Sequence, residues 1–159
     1  MIRADLDPRT SDPRLLRADL VRQAAGDDGQ HRDGDPGFLV ANMIPTCISD
    51  DIEAAKAVNR RTLTRYTMLP NYRNYWKEAG YAEEMAAIET AVAAGREADI
   101  PGLMSDRWLA DATLFGPAAA VRDGVAAWRE AGVSTPILVP SSASGNQLKA
   151  LEEIFAAFV

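Results

Sequence analysis

Apolar positions along the chain gather into two short runs and a series of helical stripes. Residues 38–45 (FLVANMIP) are almost continuously apolar, the pattern of a strand covered on both faces. Residues 135–139 (TPILV) form a second such run. After the first run, Ser49, Asp50 and Asp51 offer N-caps, and Glu53 falls in the first turn, where the helix dipole favours a carboxylate. The spacing predicts a helix from there to about residue 68, with Ile52, Ala55, Val58, Leu63 and Tyr66 toward its buried side. Pro70 interrupts it. Further helices are predicted over 71–79, closed by Gly80, and over 82–94, closed by Gly95. A connector over 96–102 leads to a helix over 106–113. The helix predicted over 117–131 carries Val121, Val125 and Trp128 on one face, and Gly132 caps it. Residues 140–145 read as a turn, and a last helix is predicted over 146–158.

The first 37 residues differ. Arg and Asp follow one another closely, broken by Pro8, Pro13, Gly26, Gly29, Gly34, Pro36 and Gly37. A short helix over 13–25 is predicted, with Leu15, Leu16, Leu20 and Val21 as its stripe, Asp12 as N-cap, Pro13 as first residue and Gly26 at its end. The polar run 27–37 reads as a loop. Residues 1–37 are thus set apart from 38–159. Strands alternating with helices argue for a helix-rich α/β fold with a parallel sheet. Two strands alone would leave unpaired backbone at both edges. The chain is therefore expected to pair with another or to form part of a larger sheet.

Composition narrows the function. The chain has 159 residues, 47% hydrophobic and 25% charged, which fits a folded globular domain. Its net charge of -6, from 23 acidic and 17 basic residues, argues against a nucleic-acid partner. No basic helix face and no long apolar stretch point to a membrane. The cytoplasm is the expected compartment. Cys47 is the single cysteine, so no disulfide forms within the chain and a thiolate metal site is not expected.

Two phrases carry a family resemblance. The run IPTCISDDIEAAKAVNRRTLTRYTMLPNYRNYWKEAGYAEE resembles the sixth strand and following helices of luciferase-like monooxygenases. Ser49-Asp50-Asp51, then Tyr66 through Leu69-Pro70 to Tyr72, then Gly80-Tyr81, occupy the places of that family's phrases. The run LADATLFGPAAAVRDGVAAWREAGVSTPILVPSS resembles its closing unit, with Gly116, Val121, Trp128, Ala131, Gly132 and Val133 in position. The resemblance covers about residues 33–159. It implies the C-terminal βα units of a (β/α)8 TIM barrel with extra helices, and an oxidoreductase or monooxygenase using FMN or a deazaflavin coenzyme on a small-molecule substrate. The family's early strands, with its catalytic histidine and most flavin contacts, have no counterpart here. A truncated or split protein is therefore expected, working with a complementing barrel half or a second copy.

Several side chains invite chemistry. His31 is the only histidine and sits in the polar loop, where a solvated role is the simpler reading, and no Ser-His-Asp arrangement is in prospect. No catalytic residue and no metal ligand is assigned. Cys47 and Thr46 follow the first predicted strand at what would be the barrel's working rim. Cys47 reads as inert beside Asp50 and Asp51, whereas Thr46 is a candidate substrate contact. Ser141 and Ser142 follow the last strand, where barrel loops bind phosphate, and are the candidate cofactor contacts. The bland alternative is a plain turn with Ser144 as helix N-cap. Tyr66, Tyr72, Tyr75 and Trp76 recur at helical spacing. Such a set usually packs a core, but the resemblance places it near a pocket mouth, so Tyr72 is a candidate substrate contact. Asp50-Asp51 and Glu83-Glu84 diverge on their helices and read as caps and solvated faces. The competing functional class is a non-catalytic remnant or helical self-association module.

Overall fold

The structure, a computed structural model, describes residues 40–159. His31, the helix expected over 13–25 and the loop over 27–37 lie outside the described residues. Three parallel strands and seven α-helices are found among those described: β1 (Ala41–Ile48), α1 (Ile52–Thr67), α2 (Pro70–Glu78), α3 (Ala82–Ala93), α4 (Ile100–Leu103), α5 (Asp106–Ala112), β2 (Leu114–Gly116), α6 (Ala118–Glu130), β3 (Thr135–Ser141) and α7 (Gln147–Phe158). A single 3-10 turn, Glu97–Asp99, lies in the expected connector.

The sheet order is β2-β1-β3. This corrects two expectations. The first apolar strand begins three residues later than its hydrophobic run and carries Thr46 and Cys47 inside it, because pairing starts where Ala41 meets Thr135 and continues to Cys47 against Ser141. A third strand, β2, was hidden between two helical patterns. It is only three residues long, and Thr46 to Ile48 pair with Leu114 to Gly116. Consecutive barrel strands would pair in chain order, whereas here β1 lies in the middle, so the described strands do not form the expected barrel segment. The alternation of strand and helix that suggested a barrel suits an open sheet equally well, since element order does not say which edge a crossover returns to.

Alternation along β1 assigns the helices to opposite faces. Ile44 packs with Leu114, Val121, Trp128 and Val133, joined by Val40, Ile48 and Leu138, which sets α6 against one face. Cys47 packs with Ala55 and Val58 of α1 on the other. A larger helical core joins Leu63, Trp76, Tyr81, Met85, Ile88 and Trp108 and ties α1 to α2, α3 and α5. On the α1 face the sheet is incompletely covered. Met43 and its register partner Ile137 are 63% and 42% exposed.

The outer edge of β3 is closed to strand addition by its own sequence. Thr135 N donates to Val40 O, so residues 136, 138 and 140 turn their backbone groups outward. Pro136 and Pro140 have no N–H, and the Pro140 carbonyl already accepts from Gln147 Nε2 at 3.2 Å.

Local signals set most helix ends. Asp51 caps α1, its Oδ1 accepting from Ala54 N at 3.0 Å. Ile52, expected on the buried side, is 45% exposed, because the stripe of α1 runs through Ala55, Val58, Asn59, Leu63 and Thr67. Pro70 opens α2 from an extended Leu69. Gly80 and Gly132 adopt positive φ where the chain leaves α2 and α6. At α7 the cap is Asn146, which accepts from Leu148 N and Lys149 N; Ser144 instead donates its N–H to Ser142 Oγ and its hydroxyl to Glu153 Oε1.

Candidate functional site

The strand ends that were expected to form a rim are closed and acidic. Thr46 is buried in β1, and its hydroxyl donates to Ile44 O at 2.9 Å. Cys47 is fully buried, and its thiol is pushed up to about 11, first by burial and then by the nearby Glu153 carboxylate. Such a thiol stays protonated and inert near neutrality. The charge responsible is Glu153 rather than Asp50 or Asp51, since Asp51 is turned to its capping role.

Ser141 ends β3 beside Cys47. Ser142 Oγ donates to Glu153 Oε1 at 3.0 Å and accepts from Ser144 N at 3.2 Å. Glu153 Oε2 is buried without a partner among the described residues. A phosphate delivered to this turn would meet a carboxylate instead of a cation, so the Ser141–Ser142 turn does not fit the anionic tail of a flavin cofactor. Among the described residues no group of three His, Cys, Asp or Glu side chains could hold a metal ion.

A hollow lies elsewhere, at the N-terminal half of β1. A cavity of about 340 Å³ opens between the partly covered sheet face and the helical core. Met43 and Pro45 of β1 and Val139 of β3 form its floor. Tyr66 of α1 and Tyr72, Tyr75 and Trp76 of α2 form one wall, while Tyr81, Trp108 of α5 and Trp128 of α6 complete it. All four tyrosines and all three tryptophans of the chain therefore meet at one place. Sequence spacing grouped Tyr66, Tyr72, Tyr75 and Trp76, because they fall within two successive helices. Tyr81, Trp108 and Trp128 are distant in sequence, and no local signal joined them to the set.

The rings interlock by geometry that suits aromatic contacts. Tyr66 and Tyr72 meet edge to face at 5.1 Å, and Trp76 and Trp108 at 4.9 Å. Tyr72 and Trp76 are tilted at 5.6 Å. Tyr81 and Trp108 are fully buried core residues, whereas Tyr66, Tyr72 and Tyr75 are half-buried and closer to the mouth. The Tyr81 hydroxyl donates to the buried Asp111 Oδ2 at 2.6 Å, and the Arg107 guanidinium sits 5.6 Å from the Tyr81 ring centre. Burial, with Asp111 next, pushes Tyr81 ionisation far above the ordinary range; burial raises Tyr75 as well. Both rings remain neutral phenols. No charged side chain lines the cavity. The arrangement can hold a flat, uncharged ring but carries no general base or nucleophile of its own.

A second hollow of about 380 Å³ lies between α1 and α4, where Arg60 and Arg61 meet Pro101, Gly102 and Met104. Arg60 is ion-paired with Asp106, which also takes Lys56 at 2.9 Å.

Among the described residues no helix is long and apolar enough to cross a membrane. No curated protein and no solved structure matches the chain significantly. The family description that does match is luciferase-like monooxygenase, over residues 15–135. That span takes in most of the chain, from the segment outside the described residues to the first residue of β3, and it places the chain in the luciferase-like monooxygenase family.

Proposed function

We propose that this chain is part of a flavin- or deazaflavin-dependent oxidoreductase, and that its aromatic cavity holds the ring of the small-molecule substrate beside Tyr72. Convergence of every tyrosine and tryptophan on one uncharged cavity is the observation that carries the reading. Family membership supports redox chemistry of the monooxygenase type, which FMN or a deazaflavin coenzyme would supply when bound. The described residues offer that coenzyme no phosphate site, since the turn at Ser141 and Ser142 faces Glu153. We therefore assign the phosphate to residues outside those described or to a complementing chain or second copy. The exposure of Met43, which lines the cavity, supports a partner closing the site on the open sheet face. Thr46 contributes through the strand's shape, because its hydroxyl is bonded within β1.

A second reading, a non-catalytic self-association module, is favoured by one feature. Helix α7 buries Ala150 and Ala157 while leaving Leu148, Phe155 and Phe158 exposed.

Fluorescence titration of the purified chain with FMN and with the deazaflavin coenzyme separates the two. Saturable binding of either at low micromolar concentration supports the oxidoreductase and names its cofactor. Absence of binding by a folded chain both as a single copy and in the self-associated state seen by sedimentation velocity overturns it in favour of the module.

A further inference from the structure

A parallel sheet is ordinarily covered on both faces. Here α1 covers the C-terminal half of β1 through Cys47, while the N-terminal half of the same face is bare among the described residues. Met43 and its register partner Ile137 stand side by side there, both exposed, and Met43 also lines the aromatic cavity. Residues 1–39 join β1 at this same end, since Val40 precedes Ala41, the first residue of the strand. Met43 lies three residues from Val40, roughly 10 Å along an extended strand. The run 26–39 spans up to roughly 46 Å, far more than that distance requires. The helix predicted over 13–25 sets Leu16, Leu20 and Ala24 on one side, with Arg14, Asp19 and Arg22 opposite. Its length, roughly 20 Å, is enough to cross the bare half of the sheet. Arg14, Arg17 and Arg22 outnumber Asp19, so the segment is basic in a chain of net charge -6. The family match begins at residue 15 and extends to residue 135, so this segment and the sheet fall within one family unit.

We propose that residues 13–25 form an amphipathic helix that docks on this bare face, with Leu16 and Leu20 against Met43 and Ile137. The partner that closes the proposed site is then a segment of the same chain. Because Met43 belongs both to the bare face and to the cavity lining, a helix seated on it completes the cavity wall. That consequence rests on the cavity being the substrate site. The docking itself is tested with no ligand present.

Peroxide oxidation of the full chain, read methionine by methionine by mass spectrometry, is the test. On the bare sheet Met43 is 63% exposed and Met68 37%, whereas Met85 and Met104 are buried. An uncovered Met43 would therefore react faster than Met68. With the helix docked, Met43 is expected to react about tenfold more slowly than Met68, the ratio left by an open state of about 10%. Leu16→Glu combined with Leu20→Glu takes the apolar contact from the helix alone. That variant is expected to raise the Met43 rate above that of Met68, while Met85 and Met104 stay protected and report an intact core. Protection of Met43 in the wild type should not change on dilution. Nuclear Overhauser contacts in the wild type are expected between the Leu20 methyls and the Met43 methyl. A wild-type Met43 that outpaces Met68 would overturn the proposal, as would protection that survives the double substitution. Protection lost on dilution assigns the face to a second copy instead, and Leu20 contacts to Phe155 place the segment on α7; either result also overturns it. Docking in a folded chain that binds neither flavin coenzyme keeps this inference and sinks the oxidoreductase reading. Coenzyme binding with Met43 left bare does the reverse.

Discussion

Tyr81→Phe isolates one hydroxyl in the middle of the helical core. The phenol donates to Asp111 Oδ2 at 2.6 Å, and the two residues are 1% and 3% exposed. Removing the hydroxyl leaves the ring in contact with Trp108 and Arg107, so aromatic packing is retained and the lost quantity is chiefly the hydrogen bond. A hydrogen bond to a charged group contributes about 1.5–3 kcal/mol, and the burial of both partners puts this one near 2 kcal/mol. Arg107 Nε, 4.0 Å from the same carboxylate oxygen, continues to offset part of its charge, which keeps the loss from the top of that range. For a domain of this size the expected fall in Tm is roughly 4–8 °C, taking about 2–4 °C per kcal/mol. Urea unfolding followed by far-UV circular dichroism measures the loss directly, with the slope expected to stay unchanged. Combining the change with Asp111→Asn should give a non-additive cycle, with a coupling of about 1–2 kcal/mol. A loss below about 0.5 kcal/mol, or strict additivity, would refute the view that this pair anchors α5 to the turn before α3.

Three further outcomes follow from the same structure. Burial raises the Cys47 thiol from 9.0 to about 11, so its contribution to stability is complete below pH 9 and is lost as pH climbs through 11. Cys47→Ala should flatten the alkaline fall in stability over that window by at most about 1.4 kcal/mol per pH unit, and wild-type Cys47 should resist thiol reagents in the folded state at neutral pH. Asn146→Ala should cost about 1 kcal/mol by removing the cap of α7, whereas Ser144→Ala should cost less than about 0.5 kcal/mol, as denaturant midpoints would report. Gly116→Ala forces a side chain onto a residue at φ 110° where β2 turns into α6, and should lower stability by about 1–3 kcal/mol in thermal unfolding.

Much of the helical framework was legible because its signals are local. Asp51, Pro70, Gly80 and Gly132 act through their own backbone geometry, and each ends or begins a helix as its chemistry requires. The sheet was harder to read. Pairing rather than hydrophobicity decides where β1 starts, and Thr46 and Cys47 looked like rim residues only because the apolar run was taken to stop at Pro45. β2, with three residues, is too short to show an alternation and is recognised only through its partner. Strand order depends on which edge of β1 each crossover reaches, and periodicity carries no record of that choice. The candidate site divides the same way. Tyr66 through Trp76 announce a cluster by spacing, whereas Trp108 and Trp128 join it through the packing of α5 and α6. The contact of Ser142 with Glu153, eleven residues onward, was not announced by spacing, because it forms only when α7 folds back onto the turn.

Amide hydrogen exchange of the chain with and without a saturating neutral aromatic substrate analogue tests most directly where the substrate ring lies. Protection is expected along the N-terminal half of β1 and through α2, around Met43 and Tyr72, with the turn from Ser141 to Asn146 unchanged. Protection confined to that turn, or none anywhere in a folded chain, would contradict a site built on the aromatic cavity.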